Sequence, residues 1–288
     1  MVDKKNGYAE IAIFYFSGTG NTWWVSEELI RQFTKLGRSA RAYSIETISV
    51  GEASDLIFNS EIIGFGYPIH GSDLPKPMKD FISQLPEASG KKAFVFCTQW
   101  LWSGDGAAVG GTMLHDKGFN VLWGEHFLMP NNVTVSIISL PYTNDYNRLA
   151  GVLGRAARRA AFLAEEINAG RASLRGFNQV SFYLGSMQRV PFRKVYHKLR
   201  NDIGIDYDNC IDCGECVRLC PVDNFYYEDE VIKTKGKCVL CLRCYNFCPV
   251  AAIKHMDRPH LHGRGEPYKG PVKDFDPTVL IEKKEQKV

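Results

Sequence analysis

Apolar residues along this chain fall into short unbroken runs, separated by glycine-rich turns and by stretches with helical spacing. Residues 10–16, EIAIFYF, form a run of strand length. Ser17 to Thr22 (SGTGNT) follow, and then apolar positions at Trp24, Val25, Leu29, Phe33 and Leu36 mark one face of a helix that Gly37 can cap. The pattern recurs, predicting strands at 40–45, 61–66, 92–98 and 120–128 and helices at 76–85, 105–117 and 145–169. Strands alternating with helices imply a parallel sheet covered on both faces. Five strands in this arrangement suit a doubly wound α/β domain of strand order 2-1-3-4-5. After residue 202 the pattern changes to a small α+β unit, in which NFYYEDEVIKTKGK reads as a β-hairpin.

Composition adds few constraints. Of 288 residues, 45% are hydrophobic and 23% charged, as in ordinary globular chains. No run approaches the roughly 18 apolar residues of a membrane helix. The start, MVDKKNGYAE, lacks the apolar stretch of a secretory signal, so a cytoplasmic protein is expected. Charge is unevenly spread: residues 1–150 carry 12 basic and 15 acidic residues, 151–201 carry 10 and 2, and 202–288 carry 13 and 15. The expected organisation is an α/β domain over 1–170, a basic helical connection over 171–202, a cysteine-rich domain over 203–255 and an extended tail over 256–288.

Eight of the nine cysteines lie in residues 210–248. Cys210, Cys213, Cys216 and Cys220 precede Pro221; Cys238, Cys241, Cys244 and Cys248 precede Pro249, a repeat displaced by 28 residues. Paired C-x2-C units also bind zinc, but here the third and fourth cysteines follow at once, with a proline after each group. The doubled C-x2-C-x2-C-x3-C-P pattern resembles bacterial ferredoxins with two [4Fe-4S] clusters, whose fourth cysteine crosses to the other cluster. The resemblance assigns Cys210, Cys213, Cys216 and Cys248 to one cluster and Cys238, Cys241, Cys244 and Cys220 to the second. Ile211, Val217, Leu219, Val239, Leu240 and Leu242 are expected to shield them.

A strand ending in SGTGNT and entering a helix is an anion-binding design, because the helix N-terminus presents unpaired N–H groups and a positive dipole end. The loop has no lysine or arginine, which argues against a triphosphate site and for a single phosphate held by neutral donors. Ser17, Gly18, Thr19, Gly20, Asn21 and Thr22 resemble the phosphate loop of the flavodoxin family, which binds FMN. That resemblance implies an isoalloxazine ring between two later loops. The first holds Tyr67, Pro68, Ile69, His70, Gly71 and Ser72; the second holds Thr98, Gln99, Trp100, Leu101, Trp102, Ser103 and Gly104. Tyr67, Trp100 and Trp102 are candidates to stack on the ring, and Gly71 to meet flavin N5. His70 is a weak candidate for proton transfer, read first as a hydrogen-bonded surface histidine, while Cys97 reads as buried and inert. His115 carries no specific signal.

Residues 170–201 contain seven Arg or Lys and no Asp or Glu. An irregular helix is expected there, broken at Gly185 and Pro191, with its aromatics packed between the domains. Its charges offer a docking face for an acidic redox protein, with Arg189, Arg193 and Lys194 as contacts. No motif for nucleic acid accompanies them. His255, His260 and His262 are spaced too loosely for a metal tract and read as solvated. As a whole, the chain resembles fused flavodoxin–ferredoxin proteins of anaerobes. This implies one-electron traffic between two clusters and an FMN, linking a low-potential donor to a redox partner. The alternative is a flavin-dependent reductase acting on a small molecule near Tyr67, His70 and Trp100. No GxGxxG unit for a nicotinamide cofactor is present.

Overall fold

In this computed structural model, which describes residues 7–135 and 145–282, the first strand sets the layering. β1 (Ile11–Tyr15) turns Ile11, Ile13 and Tyr15 to one face and Ala12 and Phe14 to the other, and all five are buried. A strand apolar on both sides needs a layer on each. α1 (Asn21–Lys35) supplies the first with Trp24, Val25, Leu29 and Phe33. After β2 (Ala40–Ser44), α2 (Val50–Asn59) covers the opposite face with Ala53, Leu56 and Ile57. Next come β3 (Ile62–Pro68), α3 (Lys76–Gln84), β4 (Lys92–Gln99), α4 (Gly106–Asp116) and β5 (Asn120–Leu128). α3 and α4 join α2, whereas α5 (Tyr146–Asn168) lies beside α1. Gly64 in β3 leaves room for Phe94 of β4, whose ring would lie 2.3 Å from a Cβ placed there.

The parallel sheet runs β2-β1-β3-β4-β5-β6, the expected order with one strand added. β6 (Ser173–Leu174) is only two residues long, pairs with Trp123 and Gly124, and was not anticipated. α2 was also missed, although Ser49 and Glu52 form a capping box at its start. Among the described residues no helix is long and apolar enough to cross a membrane.

The basic connection differs from expectation. α6 (Gln179–Asn201) is one helix of 23 residues running through Gly185 and Pro191. Gly185 is where the helix backbone meets the 104–105 turn, and a Cβ there would lie 1.7 Å from an Asp105 carboxylate oxygen. Pro191 is on the exposed side. The expected docking role for Arg189 is corrected. It is 7% exposed, grips Asp105 with two hydrogen bonds of 2.9 Å, and donates at 2.7 Å to the Ser72 carbonyl. Arg193 likewise binds Asp73 at 2.7 Å. Both charges fasten α6 to its own domain: Arg189 is a buried guanidinium that must be paired, whereas Arg193 is exposed and reaches down to Asp73.

The small domain follows. β7 (Ile203–Ile205) pairs antiparallel with β10 (Ile253–His255). Between them lie α7 (Glu215–Arg218), the hairpin β8 (Phe225–Glu228) and β9 (Val231–Thr234), and α8 (Arg243–Phe247). The tail is irregular, as its Pro and Gly content requires, but it is packed. Tyr268 and Leu280 are fully buried, and the Ser44 hydroxyl donates to the Leu280 carbonyl at 3.0 Å. His255 and His260 are buried as well, contrary to the solvated reading. His260 Nδ1 is 3.0 Å from the Tyr245 hydroxyl, and only His262 is exposed.

Removing one partner of a buried ion pair leaves the other charge uncompensated. Arg189→Met is expected to cost about 3–5 kcal/mol, read as a lowered urea midpoint; an unchanged midpoint would show that the pair does not hold α6.

Candidate functional site

The duplicated cysteine loops adopt the same backbone. Asp212, Gly214 and Asp223 have φ of 53, 72 and 49°, and their repeat equivalents Leu240, Leu242 and Ala251 have 57, 59 and 51°. A left-handed leucine is strained and persists only where its surroundings enforce it. Here it curls each loop around a cavity. One cavity is lined by Cys210, Cys213, Cys216 and Cys248, the other by Cys220, Cys238, Cys241 and Cys244. Each quartet thus combines three cysteines of one group with the last of the other. Amides of Asn224, Leu240 and Ala252 donate to the sulfurs of Cys220, Cys238 and Cys248 at 3.1–3.3 Å. Burial pushes the thiols of Cys216 and Cys241 up to about 12 and that of Cys238 to about 11. Without metal they keep their protons, so loading iron must displace them. Val239, Leu240 and Leu242 line the second cavity and Ile211 the first, although Ile211 is itself 61% exposed; Leu219 is buried but lies outside both linings.

The second loop leans on the Gly-rich turn. The Cys241 carbonyl oxygen is 2.5 Å from where a Cβ on Gly18 would stand, so only glycine allows this approach. Arg243, with no solvent exposure, spends all five guanidinium hydrogens here. It donates to the carbonyls of Ser17 at 2.7 Å, Gly18 at 3.1 Å and Leu219 at 2.9 Å, and to both oxygens of Glu46 at 2.7 and 2.9 Å. Burial works against its charge, but Glu46 and the nearby thiols outweigh it. Sequence reading missed Arg243. Its signal lies in the repeat, where the equivalent residue is Glu215, a charge reversal between otherwise matched loops.

The donors of the Gly-rich loop suit the phosphate of FMN. The amides of Gly18, Thr19, Asn21 and Thr22 have no acceptor among the described residues, and Arg243 touches only the loop's carbonyls. The space over the loop is taken by the chain itself. Ser17, Thr19, Asn21 and Thr22 are at most 7% exposed. The Thr19 hydroxyl accepts from Asn132 at 2.8 Å, and the Asn21 side chain donates to the Pro130 carbonyl and accepts from the Tyr268 hydroxyl. Thr22 and Thr98 share a hydrogen bond of 2.9 Å, and Phe275 and Pro271 fill the space beside Gly20.

The two loops expected around the ring come together under α6. Phe192 lies on Gly71, whose φ is 58°, and the Gly185 backbone lies on Gly104, whose φ is 59°. Tyr67 is not a stacking residue: it is fully buried beneath α4 and donates to the Gly106 carbonyl at 2.9 Å. Trp100 is half-buried and Trp102 45% exposed, while Pro68 and Ile69 are half-buried. Gln99 and Ser103 are tied to each other and to His126 Nδ1, at 3.3 and 3.1 Å from the ring nitrogen. Burial lowers His126 to about 4, and His70 likewise, against the pull of Asp73. Burial thus favours the neutral form of both imidazoles, which makes His70 a poor acid at neutral pH. Asp73 is pushed up by burial but held below the usual carboxylate range by Arg193 and Lys79. Cys97 is buried and its thiol is pushed far up by burial, in keeping with an inert role.

Comparison with known proteins separates the halves. Residues 202–249 match a family model described as a 4Fe-4S dicluster domain. A ferredoxin of Methanothermococcus thermolithotrophicus is 36% identical over 55 residues, 18% of this chain and 92% of that protein. A ferredoxin of Mycolicibacterium smegmatis is 40% identical over 45 residues, 16% of this chain and 42% of that protein. The archaeal-type glutamate synthase [NADPH] of Dehalococcoides mccartyi is 40% identical over 55 residues, of which the chain spans 11% of the enzyme's length. Among solved structures, Megasphaera elsdenii flavodoxin is 25% identical over 52% of this chain and 98% of its own, with a TM-score of 0.37. A flavodoxin from the domain Archaea is 17% identical over 55% of this chain and 98% of its own, with a TM-score of 0.38.

Gly18→Ala should push the Cys241 loop away and cost about 1–3 kcal/mol in urea denaturation. Gly51→Ala, in α2 with its nearest neighbour atom 3.9 Å away, should instead gain up to about 1 kcal/mol. Equal effects at both glycines would contradict the close approach at Gly18.

Proposed function

Because residues 202–249 make the chain a member of the 4Fe-4S dicluster ferredoxin family, we propose that it is an electron-transfer protein in which two [4Fe-4S] clusters serve an FMN held by the Gly-rich loop. In this reading Cys210, Cys213, Cys216 and Cys248 hold the first cluster, and Cys238, Cys241, Cys244 and Cys220 the second. The observation that carries it is the Arg243 clamp, which joins the second cysteine loop directly to the carbonyls of Ser17 and Gly18. FMN would supply the conversion between one-electron and two-electron chemistry. The chain's own residues have other tasks. The loop amides hold the phosphate, Asn132 and Tyr268 fix the loop's side chains, and α6 keeps water from the ring loops. Because the tail and α6 cover these loops, FMN enters as the chain folds and stays. The same cover counts against the reductase reading, since a substrate near His70 and Trp100 would have to pass α6. Thiolate ligation requires a reducing compartment.

The chain refolded anaerobically with iron, sulfide and FMN is expected to retain two clusters and one flavin, while folded protein mixed with FMN takes up little. Two clusters without retained flavin would remove FMN from the proposal. Cys220→Ala should lose the cluster of the Cys238 group and spare the other, and Cys248→Ala the reverse, seen by iron analysis and EPR. Loss of the same cluster in both variants would overturn the ligand assignment.

A further inference from the structure

The two cysteine quartets sit in opposite surroundings. Cys238 and Cys241 are buried, and Val239 and Cys241 share the apolar core of the α/β sheet. Cys213 is exposed. Ile211, which lines the first cavity with it, is 61% exposed, and Tyr227, whose hydroxyl stands close to Gly214 of the same lining, is 47% exposed. Tyr207, 59% exposed, donates its hydroxyl at 2.8 Å to the carbonyl of Ile232, another residue of that lining.

Charge follows the same division. Residues 203–232 contain eight acidic residues and one basic, whereas residues 233–249 contain four basic and none acidic. Arg218, the one cation of the first stretch, is engaged by Glu215 at 2.6 Å. Asp208, Asp212, Asp229 and Glu230 are exposed and form no ion pair among the described residues. Exposed carboxylates around an exposed apolar centre attract and orient a basic surface. At the second quartet, the Arg243 charge is consumed inside the molecule.

We propose that the first quartet is the port through which the chain exchanges electrons with a basic one-electron redox protein, the second quartet being reserved for internal transfer. This rests on the cluster reading above and names its partner and its polarity. In the exchange the partner's metal centre loses or gains one electron and the first cluster gains or loses it; no bond forms or breaks and no proton moves.

The test uses dithionite-reduced holoprotein mixed in stopped flow with a basic c-type cytochrome, whose ferric haem accepts the electron. Asp208→Asn, Asp212→Asn and Asp229→Asn are combined, because asparagine tolerates the left-handed backbone that Asp212 and Asp229 adopt. A second variant carries Lys194→Gln and Lys198→Gln on α6. The acidic-face variant should transfer about 10-fold more slowly at low ionic strength, with a flattened salt dependence. Its affinity for the oxidised cytochrome, measured by calorimetry, should fall in parallel, and the α6 variant should match wild type. Fully loaded protein whose rate and affinity ignore the aspartates, or respond to the α6 lysines instead, overturns the port. Protein that fails to load iron overturns the cluster reading as well, and iron analysis before mixing separates the two failures.

Discussion

A guanidinium with no access to water holds the two halves of this molecule in register. Arg243 places a full positive charge where three segments meet: the Gly-rich turn, the loop carrying Glu46 and the second cysteine loop. Burying a charge is tolerable only if every donor is met, and all five of its hydrogens are. A lysine would fail, since three donors on a flexible stem cannot reproduce the planar fork that reaches three carbonyls and a carboxylate at once. Once this clamp forms, the Cys241 carbonyl must lie against Gly18, the Gly-rich turn must be buried, and the tail finds a surface on which Tyr268 and Phe275 can pack.

The duplicated cysteine loops make the same point by contrast. Their left-handed positions match one for one, so the two cavities are built alike. What differs is the residue that follows the second left-handed turn. In the first copy it is Glu215, which makes a surface pair with Arg218; in the second it is Arg243, turned into the domain interface. One change of charge within a repeated frame leaves one loop facing solvent and binds the other to the sheet.

Much of the architecture was legible from residues alone. Strands apolar on both faces and helices of regular spacing placed the doubly wound sheet, and the cysteine spacing placed the two quartets, because both depend on local periodicity. The missing pieces depend on long-range partners. β6 is too short to carry a period, and Ser173 and Leu174 become a strand only beside Trp123 and Gly124. Arg189 and Arg193 read as docking contacts until Asp105 and Asp73 are found beneath them. The resemblance to flavodoxin loops made Tyr67 a ring-stacking candidate; Gly110 of α4 makes the space that draws it into the core instead. The tail's composition limits it to short 3-10 turns at His262–Arg264 and Pro277–Leu280 but says nothing against burial, and the rings of Tyr268 and Phe275 pack it onto the domain.

The central claim is that Arg243 fixes the second cysteine loop on the Gly-rich turn. Hydrogen exchange of the backbone amides of residues 17–22, compared between wild type and Arg243→Met with cluster content matched, measures this directly. Slow exchange in wild type, with protection of these amides lost in the variant while β1 and β3 stay protected, is the expected result. Equal exchange in the two proteins, or rapid exchange of the turn already in wild type, would contradict the account.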